Sequence, residues 1–388
     1  MKTVLNLKYY KIKLYIAVCL LFWNCKNEND IYTDISKLRE KYSSTDVTQW
    51  PKPFLDSVID PNKFEDIGVL PREIPYPNSN PYSKAKKNLG KFLFFDARLS
   101  KTGQIACASC HNPELAWTDN ISRSLGHNLQ KNKRNSMTIK NVAFAKTLFW
   151  DGRSKSLENQ AAFPIIDHNE MNTSHAIAVE NIKKIKGYNH LFEKAFGDSK
   201  VTLDRILKAI ATYERSQVSR NSKFDRFIKG RKDLFTNEEV LGMHLFRTKA
   251  LCINCHNTPY FSDNQFHNDG QTLFGGKNED LGLYYHTKNP SDVGKFKTPT
   301  LREISETGPW MHHGHFPSLL DVVQFYNLGN PAPIQRKHLG TSRDSLIPVT
   351  SPILKKLHLS KKEINALIAF LETLSTRKQR VNISQMPQ

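Results

Sequence analysis

The sequence predicts a mainly α-helical protein built from two similar domains. The first observation is a repeated pentapeptide, which reads CASCH at residues 107–111 and CINCH at residues 252–256. The second is that an apolar segment with helical spacing precedes each copy, at residues 89–94 and 241–246. The third is that no segment sustains the alternation of apolar and polar residues that marks a half-buried strand. A fixed order of helix, turn and pentapeptide that occurs twice is typical of a duplicated domain.

The pentapeptide is the attachment signal for a c-type haem. Its two thiols can add across the vinyl groups of the porphyrin while the adjacent histidine donates an imidazole to the iron. Zinc or a disulfide is the alternative, but zinc would need more Cys or His residues at short spacing. We therefore predict two cytochrome-c-like haem domains with long loops. The expected attachment residues are Cys107, Cys110, Cys252 and Cys255, and the expected iron ligands are His111 and His256.

The first 25 residues have the features of an export signal. Lys8, Lys11 and Lys13 precede an apolar run at residues 14–23, which is too short to span a bilayer comfortably. Cys25 follows it and resembles the lipidated cysteine of a bacterial lipoprotein, although residues 22–24 depart from the usual small-residue pattern. A retained anchor and ordinary cleavage nearby are the alternatives. Export to the periplasm, where a lipid on Cys25 would attach the protein to a membrane, fits attachment of c-type haem outside the bacterial cytoplasm.

Residues 26–80 are rich in Pro, Asn, Asp and Ser, so we expect an irregular N-terminal arm that acts as a tether or wraps the protein. The first haem domain is expected at residues 81–230 and the second at residues 231–388, with a junction near residues 222–230. Apolar stripes predict further helices at residues 201–213 and 364–374. Capping boxes, Thr236 with Glu239 and Ser360 with Glu363, mark two helix starts.

Composition allows two domains and a basic surface. The chain has 388 residues, of which 56 are basic and 37 acidic, giving a formal charge of +19. Such a charge favours nucleic acid or an acidic protein as partner, or else a generally basic solvated surface. No DNA- or RNA-binding signature accompanies it, so we expect no nucleic acid partner. Residues 257–309 contain several glycines and read as a loop packed around a cofactor.

Between and after the pentapeptides, roughly over residues 80–380, the sequence resembles the bacterial dihaem cytochrome c peroxidases and their relatives of the MauG type. The segments that carry the resemblance are residues 89–100, 126–127, 134–136, 149–153, 170–171, 296–302 and 308–312. Their order and spacing match the family. This is more specific than the pentapeptides alone.

The resemblance implies a catalytic group at the first haem. Glu170 matches the family's catalytic glutamate, and a carboxyl group in an apolar haem pocket would have a raised pKa. Gln160 and Pro164 match residues that line the same pocket. Trp150 matches the tryptophan between the haems, whose indole can relay oxidising equivalents. As isolated residues, Glu170 would be taken for a surface acid and Trp150 for a core residue.

The resemblance also implies ligands on the opposite faces of the two irons. His127 matches the histidine that binds the first haem in oxidised peroxidases and leaves on reductive activation. Tyr326 matches the position that holds a methionine in typical peroxidases and a tyrosine in MauG. Met311 is the competing ligand of the second iron. His127 favours the peroxidase branch of the family, and Tyr326 favours the MauG branch.

A Ca²⁺ site between the domains is implied by the resemblance alone, through Asn135 and the backbone near Thr298 and Thr300. The expected activity is reduction of hydrogen peroxide by electrons from a small cytochrome c or cupredoxin. Oxidation of residues in a partner protein and simple electron transfer are the alternatives. Members of the family are often dimers, which allows a homodimer here.

Overall fold

The computed structural model describes residues 34–329, 340, 343–377, 380–383 and 385–388. The predicted export signal and Cys25 lie outside these residues. The helices are α1 Ile35–Tyr42, α2 Lys84–Phe95, α3 Cys107–Cys110, α4 Leu157–Ile166, α5 His175–Lys183, α6 Asn189–Phe196, α7 Leu203–Arg215, α8 Lys223–Phe227, α9 Asn237–Arg247, α10 Tyr284–Thr287, α11 Leu319–Leu328 and α12 Lys361–Glu372. Two-residue strands, β1 Phe266–His267 and β2 Phe296–Lys297, form one antiparallel pair. The prediction of a mainly α-helical protein is confirmed.

The two domains share one design, in which two helices cross at a glycine. In the first domain α2 crosses α7, and a Cβ atom added to Gly90 would lie 1.8 Å from the carbonyl oxygen of Ala209. In the second domain α9 crosses α12, and a Cβ atom added to Gly242 would lie 1.8 Å from the carbonyl oxygen of Ala366. Only a residue without a side chain allows such close approach. The predicted capping boxes are present at the starts of α9 and α12.

A triad of aromatic rings fills each crossing. Phe94, Trp117 and Tyr213 have ring centroids 5.4–6.0 Å apart in the first domain. Phe246, Phe261 and Phe370 have centroids 5.2–6.5 Å apart in the second. Phe94, Phe246, Phe261 and Phe370 are fully buried. Each triad includes the residue whose carbonyl faces the histidine of the pentapeptide, so packing of the core also positions that histidine.

Residues 34–70 wrap the second domain. Tyr42, Trp50 and Ile67 are buried in its core, together with side chains of α8, α9 and α12. The Arg247 guanidinium lies 5.2 Å from the centroids of both the Tyr42 and Trp50 rings and forms an ion pair with Asp66. A cation between two aromatic faces, paired with a carboxylate, holds the arm more firmly than apolar contact alone.

The segment at the predicted junction packs in the second core, and the C-terminal segment packs against the first core. Phe224 and Phe227, which lie in the predicted junction at residues 222–230, pack in the second core because α8 turns their rings toward Phe261 and Phe235. Val381 packs against the first core, and the Pro387 carbonyl accepts a hydrogen bond from Arg98. The C-terminal residues therefore return to the first domain. Among the described residues, no helix is both long and apolar enough to cross a membrane.

Replacing either crossing glycine with alanine should separate the helices. We expect Gly90→Ala and Gly242→Ala each to lower the free energy of unfolding by about 1–3 kcal/mol, the usual cost of overpacking a core. Urea unfolding followed by circular dichroism measures the change. Gly68→Ala is the matched control, because its added Cβ atom would meet only Pro259 Cγ at 3.6 Å. Equal losses in all three variants would contradict the interpretation.

Candidate functional site

The first pentapeptide begins with the single turn of α3, and His111 caps it. The His111 backbone N–H donates to the Cys107 carbonyl at 3.1 Å, and Nδ1 of the ring lies 3.2 Å from the Trp117 carbonyl oxygen. Since a carbonyl can only accept, Nδ1 carries the proton and Nε2 keeps its lone pair. Burial lowers the pKa of His111, which favours this neutral form.

The second pentapeptide repeats the arrangement. The His256 backbone N–H donates to the Cys252 carbonyl at 2.9 Å, and Nδ1 lies 3.1 Å from the Phe261 carbonyl oxygen. Burial also lowers the pKa of His256. In both copies the cysteines are free thiols. Two thiols beside an imidazole whose Nε2 is unprotonated are the donor set that a c-type haem requires, so the residues present fit this cofactor.

Glu170 lies in a loop that is tied to the loop of His127. The His127 backbone N–H donates to the Glu170 carbonyl at 2.8 Å, and a Cβ atom on Gly126 would lie 2.0 Å from the Asn169 carbonyl oxygen. Burial, aided by the charge of Asp167, raises the pKa of Glu170 to about 7. A carboxyl group with such a pKa can both accept and donate a proton near neutral pH.

The residue after Glu170, Met171, packs in the first core, which Cys107 also contacts. Burial raises the pKa of the Cys107 and Cys110 thiols, and the charge of Glu170 adds to this effect at both. Gln160 and Pro164 lie one turn apart on α4 and therefore share a face. The Pro164 carbonyl accepts a hydrogen bond from the Met171 backbone N–H, which joins α4 to the Glu170 loop.

Trp150 connects the two domains. Its indole N–H donates to the Asn135 carbonyl at 2.9 Å, and its own carbonyl accepts from the backbone N–H of Lys297 at 2.8 Å. The Asn135 backbone N–H in turn donates to the His312 carbonyl at 2.8 Å. The His312 ring stacks on Phe296 at 3.6 Å and meets the Trp150 ring edge-on at 6.4 Å. The indole is therefore fixed in position by contacts from both sides.

The residue after Trp150 is the centre of an ion-pair network across the domain boundary. Asp151 accepts hydrogen bonds from Arg134 at 2.5 Å, Arg153 at 3.0 Å and His286 at 3.0 Å. Arg134 also binds Asp280 at 2.7 Å. Burial alone would raise the pKa of Asp151, but Arg134 and Arg153 overcome it and hold the pKa at about 2. The carboxylate is therefore charged at all physiological pH values.

Tyr326 and Met311 occupy different surroundings. Burial raises the pKa of Tyr326 well above its ordinary value, and the charges of Asp269, Cys255 and Cys252 add to the effect. Val323, which lies one turn before Tyr326 on α11, packs in the same core as Cys252, so this part of α11 is close to the second pentapeptide. Met311 lies in the turn between Trp310 and Phe316, where the next residue, His312, contacts Asn135 of the first domain.

The three residues of the expected Ca²⁺ site have protein partners. The Asn135 side-chain amide donates to the Ile121 carbonyl at 3.0 Å, and the Thr298 carbonyl accepts from the Ser262 hydroxyl at 2.7 Å. The Thr300 hydroxyl donates to the Tyr260 carbonyl at 2.5 Å. Within the described chain, no hydrogen bond joins Asn135 to either threonine.

Sequence reasoning missed Lys297 and Glu214. Lys297 is 4% exposed, its ammonium group donates to the Thr147 carbonyl at 3.0 Å, and burial lowers its pKa to about 8. No carboxylate of the described residues lies within ion-pair distance of it. Glu214 is 4% exposed, and burial raises its pKa to about 8. Lys297 lies in the segment 296–302 that carries the family resemblance, but the resemblance gave it no role, and an isolated Lys or Glu has no spacing that reveals burial.

The family model for di-haem cytochrome c peroxidase matches residues 84–233. The chain is 36% identical to the methylamine utilization protein MauG of Methylorubrum extorquens, over 82% of this chain and 86% of that protein. It is 37% identical to the cytochrome-c peroxidase IdrP1 of a Pseudomonas species, over 83% of this chain and 89% of that protein. A crystal structure of a MauG-like protein associated with microbial copper homeostasis is 32% identical and superposes with a TM-score of 0.69, covering 79% of this chain and 94% of that one.

Neutralising Asp151 should weaken the domain boundary. Asp151→Asn leaves Arg134 and Arg153 without the charge they share, and loss of one partner from a buried network typically costs about 3 kcal/mol. Urea unfolding should show this loss. Asp233→Asn is the control, because the ion pair of Asp233 with Arg231 is solvent-exposed and should leave the unfolding midpoint unchanged. An unchanged midpoint in Asp151→Asn would show that the network does not stabilise the fold.

Proposed function

Since the chain belongs to the dihaem cytochrome c peroxidase family, we propose that it reduces hydrogen peroxide to water at the first of its two pentapeptide sites. The observation that carries the proposal is the surroundings of Glu170. This carboxyl group is half-buried, the next residue Met171 packs in the same core as Cys107, and desolvation raises the pKa of Glu170 to about 7. A carrier that only transfers electrons has no use for a proton-transferring group at that place.

Membership of the family implies two c-type haems. Cys107, Cys110 and His111 would hold the first, and Cys252, Cys255 and His256 would hold the second. A bound haem supplies the iron at which peroxide is reduced and stores the electrons that the reaction needs. The buried ammonium group of Lys297, which has only a neutral carbonyl as partner, is suited to a propionate of one of these haems.

Glu170 would manage the protons. Reduction of hydrogen peroxide consumes two electrons and two protons and yields two water molecules. The Glu170 carboxylate accepts the proton of the near peroxide oxygen and returns it to the far oxygen, which can then leave as water. Gln160 and Pro164, on the adjoining face of α4, would line the pocket. His127, whose loop is tied to the Glu170 loop, would be a further residue able to hold the iron of the first haem.

Electrons would enter at the second site and pass through Trp150. Its indole hydrogen bond to Asn135 and its edge-on contact with His312 hold the ring in one orientation between the domains. The donor would be a small cytochrome c or cupredoxin. We place the protein in the periplasm, with lipid attachment through Cys25. A Ca²⁺ ion near Asn135, Thr298 and Thr300 would add to the contact between the domains.

The position of Tyr326 favours a second candidate function, the oxidation of residues in a partner protein as in the MauG branch. Since α11 packs in the same core as Cys252 through Val323, the Tyr326 phenol would be a further residue able to hold the iron of the second haem. Burial raises the pKa of Tyr326 and so favours the neutral phenol. A nearby ferric iron would have the opposite effect and favour the phenolate. An anionic oxygen ligand would stabilise higher oxidation states of iron at this site.

Glu170→Gln should slow peroxide reduction by about 10²-fold or more while both haem absorption spectra stay nearly unchanged, because the amide cannot accept a proton. Turnover with a small artificial donor measures this. Asp167→Asn is the matched variant. Since the charge of Asp167 raises the pKa of Glu170, its removal lowers that pKa. The rate should then reach its plateau at lower pH, with an unchanged maximum. An unaltered rate in Glu170→Gln would remove this residue from the mechanism.

Tyr326→Met should raise the midpoint potential of the second haem, because a thioether stabilises ferrous iron better than a phenolate does. Spectroelectrochemical titration of both haems measures the change. Met311→Leu is the control and should leave the potential unchanged. A high-potential second haem in the unaltered protein, lowered by Met311→Leu, would assign the ligand to Met311 instead.

A further inference from the structure

We propose that residues 52–58 of the N-terminal arm, together with Lys355, Lys356 and Leu328, form the docking surface for an acidic electron-donor protein. This surface, called here the arm patch, lies against the second pentapeptide. The inference rests on the proposed function in one respect, since it assigns the surface at which the electron donor binds.

The arm patch is hydrogen-bonded directly to Asn254, one of the two residues between Cys252 and Cys255. The side-chain amide of Asn254 donates to the Phe54 carbonyl at 3.1 Å, and its oxygen accepts from the Asp56 backbone N–H at 2.8 Å. The Phe54 backbone N–H donates to the Arg247 carbonyl at 2.9 Å. Because Cys252 and Cys255 would hold the second haem, this part of the arm would lie close to that haem. An electron that enters there would cross little protein.

The apolar side chains of the arm patch are exposed although their backbone is fixed. Phe54 is 59% exposed, Val58 is 55% exposed and Leu328 is 57% exposed. Leu328 joins the patch because Gly329 packs against the backbone of Lys355 and Lys356. An exposed aromatic ring on an immobilised backbone loses little entropy on binding, which is the property of interface anchors. If residues 52–58 served only to wrap the second domain, burial of the Phe54 ring would lower the free energy, yet the ring is exposed.

The charges around these side chains are basic. Lys355 forms an ion pair with Asp56 at 2.5 Å, which connects the segment of Lys355 and Lys356 to residues 52–58 of the arm. Lys52 and Lys356 are exposed, and neither has an ion-pair partner among the described residues. A lysine rim around apolar anchors selects a partner whose own redox edge is surrounded by carboxylates. The formal charge of +19, which becomes 19 − 4 = +15 without the four lysines of the predicted export signal, attracts such a partner over longer distances and disfavours a second copy of this chain.

Binding to two probes that differ only in charge tests the proposal. The probes are mitochondrial cytochrome c, which is rich in lysine, and the same protein with its lysines succinylated to carboxylates. Isothermal titration calorimetry on the fully oxidised holoprotein measures binding without turnover. We expect the succinylated probe to bind at least about tenfold more tightly at low ionic strength and to lose this advantage in about 0.15 M salt.

Variants locate the surface. Combining Phe54→Ser with Lys52→Glu and Lys356→Glu should weaken binding of the succinylated probe by about tenfold or more. The matched control combines Ile177→Ala and Lys194→Glu on the first domain, where an apolar and a basic side chain are similarly exposed. These changes should leave binding unaltered. Equal weakening by both sets, tighter binding of the native probe, or no binding of either probe would overturn the proposal.

Two further measurements separate the remaining outcomes. Turnover of peroxide with a small donor, tetramethyl-p-phenylenediamine, should be unchanged in the arm-patch variant, since this donor needs no docking surface. Its absence in the unaltered protein would refute the peroxidase function and leave the binding result intact. Sedimentation of the unaltered protein and of the arm-patch variant tests whether the patch instead binds a second copy of this chain. A dimer that the arm-patch variant dissociates would show that the patch binds a second copy and would overturn the assignment to a donor.

Discussion

The close crossing of two helices at a glycine is the constraint on which the rest of this structure depends. Gly90 and Gly242 bring the backbone of one helix against the carbonyl oxygens of the other, and a triad of aromatic rings fills the remaining space. Trp117 and Phe261 belong to these triads, and their carbonyls accept from the histidines of the pentapeptides. The orientation of each imidazole is therefore set by core packing some distance away. A change at the crossing would alter the iron ligand without touching it.

The domains are joined by polar contacts that differ in kind from the two cores. Trp150 and Asn135 form hydrogen bonds to the backbone of the second domain, and Asp151 accepts from two arginines of the first domain and from His286 of the second. Hydrogen bonds and ion pairs have strict geometry, whereas apolar contacts slide at little cost. A boundary of this kind fixes the distance between the two pentapeptides. The electron path that we propose through Trp150 would require that fixed distance, so polar contacts at the boundary suit the proposed function.

Local signals in the sequence were sufficient for the duplicated scaffold and insufficient for its connections. The pentapeptides, the stripes of α7 and α12, and the capping boxes at Thr236 and Ser360 all lie within a few residues, where periodicity and spacing can be recognised. In the network around Asp151, the contacts of Asp151 with His286 and of Arg134 with Asp280 join residues more than 130 positions apart. Burial of Lys297 depends on a loop of the other domain. The choice between Tyr326 and Met311 needs the direction in which α11 presents its faces. The arm offered no pattern, because Asn254 holds it by backbone contacts that any sequence could make.

The duplicated scaffold allows the two sites to differ in their loops. At the first, the Glu170 loop places a carboxyl group with a pKa near neutrality beside the pentapeptide and ties it to His127. At the second, α11 places a phenol there, and the arm covers the residue between the cysteines. A titrating carboxyl group suits proton transfer, and a phenol suits control of iron oxidation state. Proton chemistry and electron entry are thus assigned to separate copies of one fold. The crossing helices that both copies share orient His111 and His256. The side chains around each histidine come from other segments, so a change in those segments at one site would leave the other site intact.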